Sequence, residues 1–134
     1  MKQIFKLKFS FTLISHSLKS IFYRYHSDKI NIIKQLMLRP EVVIDVGAHA
    51  GQVSKMISRA FSKKVKIIAI EPGLYARFIL RLSIFFNRLN NIDVLPFAVS
   101  DEPGFSFLNI PEKRKNSLGF GLSHMSSNHE EFTD

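Results

Sequence analysis

The sequence predicts an α/β fold built on a parallel sheet of about three strands, with helices on both faces and a terminal hairpin. Two observations lead to this prediction. Between residues 41 and 100, short apolar runs alternate with stretches of helical period. The runs are also continuously apolar, which is typical of strands that are buried on both faces of a parallel sheet. The expected order is strand, helix, strand, helix, strand, over residues 42–46, 52–61, 65–71, 75–88 and 92–99.

Length and composition restrict the class of protein. A chain of 134 residues holds one domain at most, and 46% hydrophobic with 22% charged residues is typical of a globular fold. The absence of cysteine excludes a disulfide framework, a thiolate nucleophile and a cysteine-ligated zinc. The five histidines lack metal-ligand spacing, so no metal site is predicted. This composition fits a reducing compartment, and we expect a cytoplasmic protein.

Residues 1–39 are predicted to be a basic helical leader of one or two helices. Residues 1–40 hold eight basic residues and one acidic residue, whereas residues 101–134 hold three basic and six acidic residues. The apolar run near the N-terminus is shorter than the ~20 residues of a spanning helix, and no small-residue cleavage site follows it. We expect an amphipathic helix with a solvated basic face. Weak contact with an anionic membrane surface stays an alternative.

The elements after Pro40, which ends the leader, differ in character. The helix over residues 52–61 is predicted to be amphipathic. Its apolar side is made of Val53, Met56, Ile57 and Ala60, and its polar side is made of Lys55 and Arg59. The helix over residues 75–88 is apolar around much of its surface and is predicted to pack on two sides. Residues 105–110 alternate like a hairpin strand. The domain is expected to span residues 40–122, followed by a frayed tail over residues 123–134.

Residues 41–51 carry most of the functional information. A strand ends in Asp45, turns through Gly47 and Gly51, and enters a helix, which delivers free backbone N–H groups to a small polar ligand. Twenty residues after the second glycine, another strand ends in Glu71, where an acid can accept both hydroxyls of a ribose. The glycine spacing differs from the G-x-G-x-x-G of dinucleotide enzymes. These details favour S-adenosylmethionine over a dinucleotide.

Each candidate residue also has a purely structural interpretation. Asp45 either organises the turn and a ligand ammonium or interacts with the free N–H groups of the next helix. Glu71 is either a ribose acceptor or a solvated acid at a strand end. His49 is interpreted as shaping the loop rather than transferring a proton. Phe97 and Ala98 form an adenine wall, with Ala98 offering its backbone, or belong to a plain core strand.

Three segments together resemble the FkbM family of S-adenosylmethionine-dependent methyltransferases: Val43-Ile44-Asp45-Val46-Gly47-Ala48-His49-Ala50-Gly51, Ile70-Glu71-Pro72 and Val94-Leu95-Pro96-Phe97-Ala98-Val99-Ser100-Asp101. The resemblance covers roughly residues 40–122. It implies a class I methyltransferase, Rossmann-like fold that O-methylates hydroxyls of sugars, glycans or natural products. It also implies that Glu71 holds the ribose and that the methionine end of the cofactor is lined by Asp45, Gly47, Ala48, His49 and Gly51.

The sequence departs from the family pattern after the hairpin. The class I sheet has seven strands in the order 3-2-1-4-5-7-6, and no counterpart of the fourth strand or of its Asp-x-Glu-Gly-like turn precedes Asp134. We therefore expect a truncated, cofactor-binding half-fold with an unpaired apolar edge on its first strand. No residue is identified as the catalytic base.

Two other functions stay open. One is a nicotinamide-dependent oxidoreductase fragment with a Rossmann half, which the glycine spacing disfavours. The other is a non-enzymatic basic module that docks on a partner or a membrane surface. Nucleic acid is not expected as a partner, because no recognised motif or exposed aromatic platform accompanies the charge.

Overall fold

The structure is a computed structural model that describes residues 14–22, 29–36, 40–109 and 124–126. Residues 14–22 are helical and are called α1 here. The further elements, in chain order, are α2 (Ile30–Leu36), β1 (Val42–Val46), α3 (Gln52–Ala60), β2 (Lys66–Ile70), α4 (Leu74–Asn87), β3 (Ile92–Leu95), β4 (Phe107–Asn109) and β5 (His124–Ser126). The predicted α/β order of the central region is confirmed, and the leader is helical where it is described.

The three central strands form a parallel sheet in the order β1-β2-β3. β2 lies in the middle, and its residues Ile67 and Ala69 are completely buried. In the sheet register, Ile67 lies between Val43 of β1 and Ile92 of β3, and all three side chains belong to the hydrophobic core. Continuous β-branched runs thus form a buried centre, as their composition predicts.

One face of the sheet lacks a helical cover in the part of the chain that the structure describes. Three β1 side chains point to this face: Val42 is 53% exposed, and Ile44 and Val46 are each 60% exposed. The prediction of helices on both faces is therefore wrong for the described residues. The cause is topological: with strands ordered 1-2-3, right-handed crossovers place α3 and α4 on the same face.

The third strand is shorter than predicted. It ends at Leu95 rather than at Val99, directly before Pro96, whose ring holds φ near −65° instead of the roughly −120° of a parallel strand. Ala98 therefore lies beyond the strand and not at its end. The described residues up to Ala98 and those from Val99 onward belong to two different compact units.

The second unit contains an antiparallel pair, β4 with β5, in which Leu108 lies opposite Met125. Residues 124–126, within the segment that was predicted to fray, pair instead with β4. The rest of that segment lies outside the described residues. Among the described helices, none is long and apolar enough to cross a membrane.

We predict opposite effects for the same substitution on the two faces of the sheet. Ile44→Thr changes an exposed side chain, so the free energy of unfolding should stay within about 0.5 kcal/mol of wild type. Ile67→Thr buries a hydroxyl and leaves a cavity in the core, so it should lower that free energy by roughly 2–4 kcal/mol. Urea unfolding measures both values.

The same pair of variants tests whether the outer face is bare. Binding of the dye ANS should fall in Ile44→Thr, because the variant makes an exposed apolar surface more polar. A loss of stability in Ile44→Thr as large as in Ile67→Thr would contradict the uncovered face.

Candidate functional site

The loop between β1 and α3 is attached to the end of β2. The backbone N–H groups of Gly47 and Ala48 both donate to the carbonyl oxygen of Ile70, at 2.9 and 3.0 Å. The N–H of Gly51 donates to Ala48 O at 2.8 Å, which closes the turn before α3 begins. The loop predicted from the glycine spacing thus lies at the carboxyl end of the sheet, where open α/β folds bind ligands.

The two glycines of this loop have different neighbours. Both have positive φ angles, +73° at Gly47 and +80° at Gly51, a region that side chains other than glycine rarely adopt. A Cβ atom added at Gly51 would lie 2.2 Å from Leu80 Cδ1 on α4, whereas a Cβ at Gly47 would meet nothing within 4 Å. Gly51 therefore permits close packing of the loop against α4. Gly47 leaves open space beside the loop.

Glu71 is buried and connects two turns through its carboxylate. Its Oε2 atom accepts a hydrogen bond from His49 N at 2.9 Å, and its Oε1 atom accepts one from Gly73 N at 2.8 Å. The carboxylate therefore bridges the glycine loop after β1 and the turn after β2. The sequence placed Glu71 near this loop, but it did not indicate that backbone donors occupy both carboxylate oxygens.

Asp45 is half-buried at the end of β1 and is held by a serine. Its Oδ2 atom accepts a hydrogen bond from Ser54 Oγ at 2.5 Å, and Ser54 is fully buried in the first turn of α3. The partner that a buried carboxylate needs is thus a neutral hydroxyl. Ser54 was missed by the sequence analysis, although its position three residues after Gly51 places it in the first turn of the helix.

His49 takes part in the site through its backbone. Its φ angle is +49°, so it adopts the left-handed conformation between the two glycines. Its Nε2 atom is buried and has no hydrogen-bond partner among the described residues. This arrangement agrees with a loop-shaping role.

A second histidine lies close to His49. His16 on α1 is hydrogen-bonded through Nδ1 to the hydroxyl of Tyr75, at 3.0 Å, and the two rings meet edge to face. Partial burial lowers the pKa of His16, and the charges of Lys19 and His49 add to the effect. Burial also raises the pKa of Tyr75. This contact joins residues 59 positions apart and was not predicted from the sequence.

The helix α1 is fastened to the same region by polar side chains. Ser20 Oγ donates to the carbonyl oxygen of Ala50 in the glycine loop, at 2.7 Å. In return, the carbonyl oxygens of Ser20 and Ile21 accept hydrogen bonds from Lys55 Nζ, and Ser83 Oγ also donates to Ser20 O, at 3.1 Å. These contacts place α1 against both α3 and α4.

The position of Lys55 shows that the orientation predicted for α3 is wrong at this residue. The sequence placed it on the polar, outward side of the helix, but only 3% of the residue is exposed. Burial, together with the nearby charge of Arg59, lowers the pKa of Lys55 from its usual 10.5 to about 8. The two carbonyl oxygens of α1 compensate the ammonium for the water that it loses.

The structure thus brings six of the seven predicted site residues to one loop region, namely Asp45, Gly47, Ala48, His49, Gly51 and Glu71. The seventh, Ala98, is exposed beyond the end of β3, next to Phe97, which is 61% exposed. In the described ranges, no group of three or more histidine, aspartate or glutamate side chains could hold a metal ion. No protein-family model, curated protein or solved structure matches the chain.

We predict that alanine is tolerated better at Gly47 than at Gly51. Gly47→Ala carries only the strain of a positive φ, about 1–2 kcal/mol of unfolding free energy. Gly51→Ala carries the same strain plus the clash with Leu80, a further 1–3 kcal/mol or so. Chemical denaturation measures the difference. In a Leu80→Ala background that difference should largely disappear, and its persistence would contradict the clash.

We also predict that Lys55 makes stability rise between pH 8 and 10. In this interval the unfolded chain keeps the Lys55 proton, because its pKa is near 10.5, while the folded protein loses it at about 8. The unfolded state then binds more protons, so the free energy of unfolding increases with pH. Lys55→Met should flatten this rise, whereas the exposed control Lys64→Met should keep it. Equal slopes in the two variants would exclude the assignment.

Proposed function

We propose that this chain binds S-adenosylmethionine at the carboxyl ends of β1 and β2, as the cofactor-binding half of a methyltransferase that O-methylates a sugar or glycan hydroxyl. The observation that carries the proposal is the 2.9 Å hydrogen bond from His49 N to Glu71 Oε2. It joins the acid that ends β2 to the glycine turn that follows β1. The resemblance of residues 43–51, 70–72 and 94–101 to the FkbM family supports the same function.

The loop leaves open space beside Gly47, where a ligand would bind. No atom lies within 4 Å of the position of a Cβ at Gly47, so a ligand can approach the backbone there. Asp45 lies two residues before this point and would attract the ammonium group of the cofactor. The hydrogen bond from Ser54 keeps the Asp45 carboxylate oriented.

Glu71 keeps the capacity to accept ligand hydroxyls. A carboxylate has about four acceptor positions, and the N–H groups of His49 and Gly73 use two of them. Hydroxyl groups of a ribose would share the remaining positions. Because the carboxylate is fixed by two backbone donors, it would hold the ribose without first losing conformational freedom.

The exposed pair Phe97 and Ala98 is proposed as the adenine wall. Both residues follow the last residue of β3 and so lie at the carboxyl end of the sheet, as the loop does. An aromatic ring that is 61% exposed offers a face for stacking, and the backbone of Ala98 offers a hydrogen-bonding group. The predicted role of Ala98 is thereby kept, although the residue lies outside the strand.

When bound, S-adenosylmethionine supplies a methyl group that its sulfonium makes electrophilic. The contribution of this chain is to bind and orient the cofactor through the loop, Asp45 and Glu71. An acceptor hydroxyl must then be placed in line with the methyl group, and orientation of this kind accounts for a large share of catalysis. The proposal assigns no general base.

The test is direct binding of S-adenosylhomocysteine, measured by isothermal titration calorimetry, with NAD as the competing ligand. Glu71→Ala should weaken binding about tenfold or more, because a hydrogen bond to a charged group is worth roughly 1.5–3 kcal/mol. Glu41→Ala, an exposed acid at the amino end of the sheet, is the matched control and should bind like wild type. Tighter binding of NAD than of S-adenosylhomocysteine would overturn the proposal.

A second pair of variants separates ligand binding from loop stability. Gly47→Ala places a methyl group in the open space beside the loop and should weaken binding at least tenfold while the protein remains folded. Gly104→Ala also adds a Cβ in open space, but Gly104 is not one of the proposed site residues, so the substitution should have no effect. Unchanged affinity in Gly47→Ala would remove this loop from the binding site.

A further inference from the structure

A groove of about 760 Å³ lies between α4 and the outer edge of β3. One wall is formed by α4 and the other by β3 with the turn before it, and the lining includes Arg81, Phe85, Arg88, Ile92, Val94 and Leu95. The groove is distinct from the glycine loop, which lies between β1 and α3. It combines an apolar floor with two arginine side chains.

The outer edge of β3 offers backbone groups for hydrogen bonding. Within the described residues, β3 pairs with β2 only. The carbonyl oxygens of Asn91 and Leu95 accept from the N–H groups of Ile67 and Glu71 on the β2 side. Because the backbone groups of successive residues point to opposite sides of a strand, the N–H and carbonyl groups of Ile92 and Val94 point outward. An extended segment could therefore add a strand at this edge.

The charged side chains that line the groove indicate which kind of segment would bind there. Arg81 lies on α4, and Arg88 directly follows the helix in the left-handed conformation, with φ +52°. Both are exposed and line the groove, and seven residues of helical rise separate their Cα atoms by about 10 Å along the helix axis. Neither side chain makes a hydrogen bond or ion pair with another described residue, unlike Arg77, which donates to the carbonyl oxygens of Glu71 and Pro72.

The one acidic side chain in the groove is already neutralised. Asp93 Oδ2 lies 2.6 Å from Lys66 Nζ on the neighbouring strand. The two arginines therefore give the groove a positive charge that an acidic ligand would complement. Alternate side chains of an extended segment lie about 6.7 Å apart on one face, so two carboxylates fit within the span of the arginines.

We propose that this groove binds an extended acidic segment of a partner protein, which adds a strand to the outer edge of β3. Carboxylates of the segment pair with Arg81 and Arg88. Its apolar side chains alternate with the carboxylates and therefore lie on the opposite face of the added strand, beside Leu95. The outward N–H and carbonyl groups of Val94 bond to the backbone of the segment.

The test uses a fluorescein-labelled eight-residue peptide that alternates glutamate and valine, with a matched peptide that carries lysine in place of glutamate. Fluorescence anisotropy should show binding of the acidic peptide that weakens with salt, and at least tenfold weaker binding of the lysine peptide. Arg81→Glu combined with Arg88→Glu should weaken binding of the acidic peptide at least tenfold. The exposed control Lys34→Glu should leave it unchanged.

The strand-addition geometry has its own variant. Val94→Pro removes an N–H that points away from β2, so the β2–β3 pairing should persist while the peptide loses affinity. Thermal unfolding verifies that the variant is folded, and the arginine variants test the proposal independently of it. Equal affinity for the two peptides, or no effect of the arginine substitutions, overturns the proposal. Arginine-dependent binding of an oligonucleotide or an anionic vesicle, without binding of the acidic peptide, also overturns it.

Discussion

The arrangement of the candidate site depends on one buried carboxylate. Glu71 accepts hydrogen bonds from His49 N and Gly73 N, two backbone groups that follow different strands. A buried charge is costly unless it is hydrogen-bonded, and both oxygens of Glu71 are satisfied in this way. Together with the bonds from Gly47 N and Ala48 N to Ile70 O, this carboxylate fixes the loop against the end of β2. Because these hydrogen bonds hold the backbone of the loop in place, the open space beside Gly47 keeps its shape.

The central elements were predictable from the sequence because their signals are local. The first strand begins and ends as expected, since a run of β-branched residues is bounded by Pro40 and by Gly47. The meeting of Asp45 and Glu71 at one edge also follows from parallel strand direction. The coverage of the outer face did not follow. The sequence of a strand that is apolar on both sides does not indicate whether a helix covers its second face. In β1 this face is exposed, as the side chain of Ile44 shows.

The contacts of α1 could not be predicted, since they join residues 30 to 66 positions apart. Lys55 shows the difficulty clearly. A lysine on an amphipathic helix usually faces solvent, and the neighbouring carbonyl oxygens of Ser20 and Ile21 help to make its burial tolerable. The same reasoning explains why Ser54, Ser58 and Ser83 were missed, because small hydroxyl side chains give no periodic signal when they are buried.

The burial of Lys55 has a consequence for how such a chain can change over generations. Pro40 looks like a natural border, and a gene rearrangement that exchanged everything before it would appear harmless. The exchanged segment would nevertheless have to bring carbonyl oxygens to the Lys55 ammonium and a hydroxyl to Ala50 O. We therefore expect the two sides of Pro40 to be inherited together, with substitutions at Lys55 accompanied by changes around Ser20 and Asn87.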